Sequence, residues 1–290
     1  MSKNMVDLPL AQSYLRKILT AILSTQEQQW LNDKHELLTT NPEKGDFHLT
    51  FSAVSRFIQS RPMELAAAER EAADDICAGW RPYLWTTDRT CRVYFLSLCT
   101  PDAADVGMAF IKDVFDTADM KEQVAIFSAL PILPNPEAFA SLAVEGLRTN
   151  MAPVFDSVAL DNPYPKTFFG EAAWNQLFLK AAFMGRPLYR IEGVAKRANA
   201  ELSRMILDYV HERWSAGRDV SPEIWRPTTG LLNDEHREAL EKLRASEQEL
   251  QRVAAELVLS GNEQPLTMDG QEWTWEKIGR AQEGITAGNA

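Results

Sequence analysis

The chain has 290 residues, of which 45% are hydrophobic and 24% charged; this is the composition of an ordinary soluble globular protein, long enough to bury a large core as one elongated domain or two compact ones. A formal net charge of −11 argues against nucleic acid as the main partner. The longest apolar runs, such as Ala181-Ala182-Phe183-Met184, are far too short to cross a bilayer, so no membrane span is expected.

The N-terminus sets Asp7, Gln12, Ser13, Arg16 and Lys17 among its apolar residues and offers no signal-peptide core. The same mixed charge disfavours a membrane-surface helix and the adaptor role that would go with it. Cys77, Cys91 and Cys99 are odd in number and lack metal-ligand spacing. They read as small buried side chains in a reducing compartment, and the expected location is cytoplasmic.

Nearly every segment carries the 3.6-residue helical pattern, and none alternates convincingly as a strand. Leu8 to Leu23 places Leu15, Ile18, Leu19, Ile22 and Leu23 on one side. Ser24-Thr25-Gln26-Glu27 has the form of a capping box opening a helix through Trp30 to Leu38. Residues 39–46 hold Asn41-Pro42 and Gly45 and predict a loop. Helices follow at about 48–60, 64–78, 87–98, 103–117, 121–130 and 136–148, separated by Pro62, Gly79 with Pro82, Pro101, and Pro131 with Pro134 and Pro136. Such a rhythm predicts an all-α fold of antiparallel helix pairs, either a HEAT-like α-solenoid or a multi-helix bundle. Residues 1–230 read as a single helical domain. Residues 231–290 read as a C-terminal helical extension, with one charged amphipathic helix over 234–260, a solvated outer layer rather than a partner-binding element. A loop through Gly261 and Pro265 then leads to Trp273-Thr274-Trp275, a last short helix and a frayed end over 284–290.

Asp161 to Pro227 is the segment where charged residues, amides and tryptophans interrupt apolar helical patterns. It carries ten Lys/Arg against eight Asp/Glu, whereas the rest of the chain has 20 against 33. A mildly cationic patch in an acidic protein can hold a small anion, or its charges can pair internally. Asn162-Pro163-Tyr164-Pro165 predicts a non-helical rigid corner able to present Asp161 and Asn162. Residues 172–184 are apolar nearly all round, the mark of a buried helix, and are interrupted by Asn175, Gln176 and Lys180. Lys180, one turn from Gln176, reads either as an anion ligand or proton-transfer group, or as a lysine paired with a structural carboxylate or reaching to a groove. Asn199 caps the next helix, 200–216, and Gly217 ends it. Arg213 falls in the apolar sector of that helix and requires a carboxylate, carbonyls or an anion, because it cannot lose its proton. Asp208, His211 and Glu212 share a turn and are the weak metal candidates. No second histidine follows at zinc-protease spacing, however, and an Arg204–Asp208 pair on a solvated face explains the same residues. Ser221-Pro222 starts a further helix. No phosphate loop, Ser-His-Asp order or dinucleotide fingerprint occurs, and no cofactor is assigned.

Over residues 145–227 the chain resembles the EboA family of helical bacterial proteins. The resemblance is carried by Gly146-Leu-Arg-Thr-Asn150, Ala159-Leu-Asp-Asn-Pro-Tyr-Pro165, Ala173-Trp-Asn-Gln-Leu177, Arg186-Pro-Leu188, Arg197-Ala-Asn199, Asp208-Tyr-Val-His-Glu-Arg-Trp214 and Pro222-Glu-Ile-Trp-Arg226. It implies the context of the ebo gene cluster, which also encodes a UbiA-type prenyltransferase, a dehydroquinate-synthase-like enzyme and a TatD-like hydrolase, and which is associated with making or moving secondary metabolites toward the cell envelope. The resemblance implies no catalytic residue. The expected function is an accessory helical protein binding a small anionic metabolite or another pathway protein. Its candidate ligand-binding residues are Asn162, Asn175, Gln176, Lys180, Arg186, Arg190, Arg204 and Arg213. The alternative is an enzyme acting on a phosphorylated cyclitol- or sugar-like compound, with Asp208, His211 or Lys180 transferring protons.

Overall fold

A computed structural model gives the fold, and the residues described are 6–40, 42–43, 45–261 and 263–288. The fold is all-α, with one small hairpin, and the chain divides into two compact units, Met1–Phe168 and Phe169–Ala290.

The first unit contains α1 (Leu8–Ile22), α2 (Thr25–Thr40), α3 (Asp46–Phe57), α4 (Ala67–Ile76), α5 (Thr87–Cys99), α6 (Ala104–Thr117), α7 (Met120–Ala129), α8 (Ala140–Gly146), α9 (Ala152–Ala159) and α10 (Tyr164–Phe168). The capping box at α2 forms as its spacing predicts: the Ser24 N–H donates to Glu27 at 2.8 Å, and the Glu27 N–H donates to Ser24 Oγ at 3.4 Å. Asp119 and Glu122 make a second box that begins α7. The segment expected as one helix over 136–148 is a 3₁₀ turn, Pro136–Phe139, followed by α8. Within the loop expected over 39–46, Asn41 lies outside the described residues, and Gly45, at φ 101°, leads into α3.

The first unit is a bundle gathered on α5, which packs against α1, α2, α3 and α7, with α9 beyond α7. Almost every α5 side chain is therefore buried, including Asp88 and Arg92. Buried charges are thus not confined to residues 161–227: the pair Asp88 and Arg92, with side chains 4% and 1% exposed, lies well upstream of that segment.

Two expectations about prolines and tails require correction. Asn162-Pro163-Tyr164-Pro165 is not wholly non-helical, because Tyr164 and Pro165 open α10. In the first turn of a helix the amide that proline lacks has no intrahelical acceptor to lose. The chain over 234–260 is two helices, α13 (Asp234–Arg244) and α14 (Glu249–Leu259), and α14 is no outer layer: Val253, Ala254, Ala255, Leu257 and Val258 are buried.

The second unit also holds α11 (Glu171–Phe183), α12 (Ala200–Ser215), 3₁₀ turns at Leu188–Arg190, Ala195–Arg197 and Pro222–Thr228, and α15 (Trp275–Gly288). Strands β1 (Leu266–Met268) and β2 (Gln271–Trp273) pair antiparallel. Asp269 and Gly270, with φ of 52° and 77°, turn the hairpin as a type I′ Asp-Gly pair does. The sequence pattern predicts no strand here, since three-residue strands are too short for alternation to register. The helix α15 reaches Gly288, so the fraying expected from Gly284 does not begin there; Asn289 and Ala290 lie outside the described residues. Nor is α11 buried on every side: Phe183 is 76% exposed and Gln176 is exposed.

Candidate functional site

The second unit contains a cleft of about 650 Å³ whose lining includes Arg186, Arg190 and Arg213. That volume is of the size that takes a small metabolite, for which clefts run from about 300 to 1,000 Å³. Local backbone geometry delivers each arginine. Gly185 at φ 64° ends α11 in the left-handed region, and the following N–H, from Arg186, returns to the Ala181 carbonyl at 2.9 Å. The Arg186 side chain therefore leaves the chain just beyond the helix terminus. Pro187 then precedes the 3₁₀ turn Leu188–Arg190, which Arg190 closes. Arg213 sits in the last turn of α12. Gly217, at φ 66°, reverses the chain so that the Asp219 carbonyl accepts from Arg213 Nε at 3.3 Å and from its terminal nitrogen at 3.0 Å. A carbonyl is one of the partners that this inward guanidinium requires.

Opposite charge lines the same space. Asp219, Glu223 and Glu283 contribute carboxyl groups, and Phe183, Pro187 and Val220 contribute apolar surface. Glu223 is 3% exposed, and its carboxylate accepts the Tyr189 backbone N–H. Burial pushes its pKa up to about 7, against the pull of the Tyr189 and Leu188 amides. It therefore shares its proton near neutrality. Ser221 caps this turn by accepting the Glu223 N–H at 3.3 Å. On the far wall, Tyr189 Oη donates to Glu283 at 2.6 Å; burial and that carboxylate raise the phenol to about 12.

The sequence-derived candidates fall into separate places. Arg186, Arg190 and Arg213 are on the lining of the cleft, whereas Gln176, Lys180, Arg204, Asp208 and His211 are not. Lys180 is half-buried on α11, and Gln176 is exposed. Asn175 is buried and trades amide hydrogen bonds with Asn199, at 2.9 and 3.3 Å, while Asn199 accepts the Leu202 N–H at 2.8 Å. It thereby ties α11 to the N-cap of α12. Asn162 is buried in the first unit, where it donates to the Phe127 and Ser157 carbonyls and accepts the Tyr164 N–H. Arg204 pairs on the surface with Glu201 and Asp208. His211 and Glu212 are exposed, and among the described residues no His, Cys, Asp or Glu cluster is arranged to hold a metal ion.

Glu223 and Glu283 do not stand out in the sequence. Pro222-Glu223 looks like the ordinary acidic first turn of a helix, and nothing in a pattern distinguishes a glutamate folded inward from one in water. The segments that carry the family resemblance nonetheless supply Arg186, Pro187, Tyr209, Arg213 and Glu223 to the cleft.

A family model described as metabolite traffic protein EboA matches residues 11–229. No curated protein and no solved structure matches the chain.

Proposed function

The chain belongs to the EboA family, and from that premise we propose that it is an accessory protein of a secondary-metabolite, ebo-type pathway that binds a small anionic metabolite in the cytoplasm. The presence of Arg186, Arg190 and Arg213 on the lining of one metabolite-sized cleft carries this reading. Guanidinium groups make charge-assisted, fork-shaped hydrogen bonds to carboxylate and phosphate, and a partly enclosed cleft strengthens them relative to open water. Residues 231–290 are read as an extension to the matched region. That no helix among the described residues is long and apolar enough to cross a membrane fits a protein meeting its ligand in water. Phe183, exposed and on the same lining, is where this reading places the transfer of the ligand to another pathway protein.

Titration calorimetry of the full chain with inorganic phosphate tests the reading. Saturable binding is expected, weakened about tenfold or more in the Arg186→Gln/Arg190→Gln double variant. Absence of saturable binding, or an unchanged affinity in the double variant, counts against the cleft as an anion site.

A further inference from the structure

The cleft is not closed by the family-matched region alone. Its far wall comes from α15, which lies beyond residue 229 and places Gln282 and Glu283 on the lining. The helix is firmly seated: Trp275 and Ile278 are buried, and α15 packs against the turns at Leu188–Arg190 and Pro222–Thr228 that carry Arg190 and Glu223. Gly279 permits this approach. A Cβ there would stand 2.1 Å from the Tyr189 ring and 2.8 Å from Glu223 Oε1, so only a residue without a side chain lets the backbone in. Glu283 is then fixed by the Tyr189 hydroxyl, and Arg280 lies over the same ring at 5.9 Å.

This placement limits what the cleft accepts. Three guanidinium groups attract an anion, but Glu283 and Asp219 stand on the same lining and repel a ligand that is anionic throughout. Complementarity to both sets of charges needs a ligand with an anionic group at one end and hydrogen-bond donors at the other. Carboxylates accept and do not donate, so the donors must come from the ligand.

We propose that α15 is a selectivity wall of the metabolite site, with Glu283 choosing anions that also carry hydroxyl or ammonium donors over anions that carry none. This rests on the anion reading of the cleft and adds to it the class of ligand and the part of the chain that selects it.

The test compares three probes on the full chain: methyl phosphate, which has no donor beyond the phosphate; glycerol phosphate, which adds hydroxyls; and phosphoethanolamine, which adds an ammonium. The wild type is expected to prefer at least one donor-bearing probe over methyl phosphate by about tenfold, the weight of one charge-assisted hydrogen bond. Glu283→Gln keeps the side chain's size and its partner Tyr189, and is expected to shrink that preference to about twofold while methyl phosphate binds slightly tighter, since a like charge is gone. A preference for phosphoethanolamine alone assigns an ammonium, and one shared by glycerol phosphate assigns hydroxyls; either supports the proposal. A preference unchanged in Glu283→Gln, with methyl phosphate still weakened by Arg186→Gln/Arg190→Gln, overturns the role of α15 and leaves the arginine site standing. Failure of all three probes to bind the wild type removes both.

Discussion

One set of charges in each unit shows two different placements. In the first, Asp88 and Arg92 lie side by side within α5, with side chains only 4% and 1% exposed. Their neighbours close around them: Ser60 donates to Asp88 at 2.7 Å, Arg92 donates to Ser55 at 2.8 Å, and Lys121 reaches Asp88 from the surface at 3.5 Å. In the second, Arg186, Arg190 and Arg213 are half-buried and face a cleft. A buried charge beside a counter-charge organises a core, whereas charges on the lining of a cleft can meet a ligand.

The largest expected effect lies in the buried pair. Asp88→Ala leaves the Arg92 guanidinium buried beside Ser55 without its carboxylate, and removing one member of such a pair typically costs about 3–5 kcal/mol. The urea midpoint of the full chain should fall accordingly while phosphate affinity stays where it was. A variant as stable as the wild type would mean that water reaches this pair and that the contrast between units is false.

Two glutamates sharpen the comparison through pH. In the first unit, burial would raise Glu27, but the Arg61 side chain and the Ser24 and Gln59 amides outweigh it and hold the carboxyl at about 2. Its folded pKa is depressed, so its contribution is complete above the unfolded value near 4.5 and is lost as pH falls toward 2. Glu223 carries the opposite sign. Its folded pKa of about 7 lies above 4.5, so the native state holds the proton longer and stability declines as pH rises between those values. The loss levels off above 7 and is on the order of 3 kcal/mol. Urea titrations across that range should show the decline in the wild type and lose it in Glu223→Gln. A slope that survives the substitution must come from another group.

Glycine packing gives a smaller contrast. A methyl at Gly146 would meet the Phe127 ring at 2.4 Å in the first unit, and one at Gly279 would meet Tyr189 at 2.1 Å in the second. Both Gly→Ala variants are expected to lose about 1–3 kcal/mol through overpacking. Only Gly279→Ala should also change phosphate binding, because it pushes α15 from the cleft wall. Equal binding in the two variants, measured by calorimetry, would detach α15 from the site.

Helix positions are legible in the sequence because apolar spacing and caps act locally. Asn199 and Gly217 bound α12 as their chemistry predicts. The break between α13 and α14 is not legible, since Ala245-Ser246-Glu247-Gln248 holds neither proline nor glycine; the turn is held by the Gln248 N–H on Ser246 Oγ and by Arg252 on the Ser246 and Glu247 carbonyls. At the site, Arg213 stands out because a permanent cation in an apolar sector must find a partner nearby. Arg186 and Arg190 follow a helix end, and their place on the cleft lining depends on the path of the loop between α11 and α12, which no periodicity encodes. Glu283 lies far along the chain from all three, so its place opposite them is a product of tertiary structure alone.

The smallest expected effect separates two arginines of the same helix. Arg204 is 60% exposed and is shared between Glu201 and Asp208, at 2.7 and 2.6 Å. Those contacts lie in water, where attraction is screened and ordering two long side chains offsets most of the gain. Arg213 faces the cleft, with its guanidinium held by the Asp219 carbonyl. Arg204→Ala should therefore leave both the melting temperature and phosphate affinity within error of the wild type, while Arg213→Gln weakens phosphate by about three- to tenfold. If Arg204→Ala instead weakened phosphate as much as Arg213→Gln, the anion would be sitting on the outer face of α12. The cleft would then be a space between structural ion pairs, and the second unit would treat its charges just as the first does.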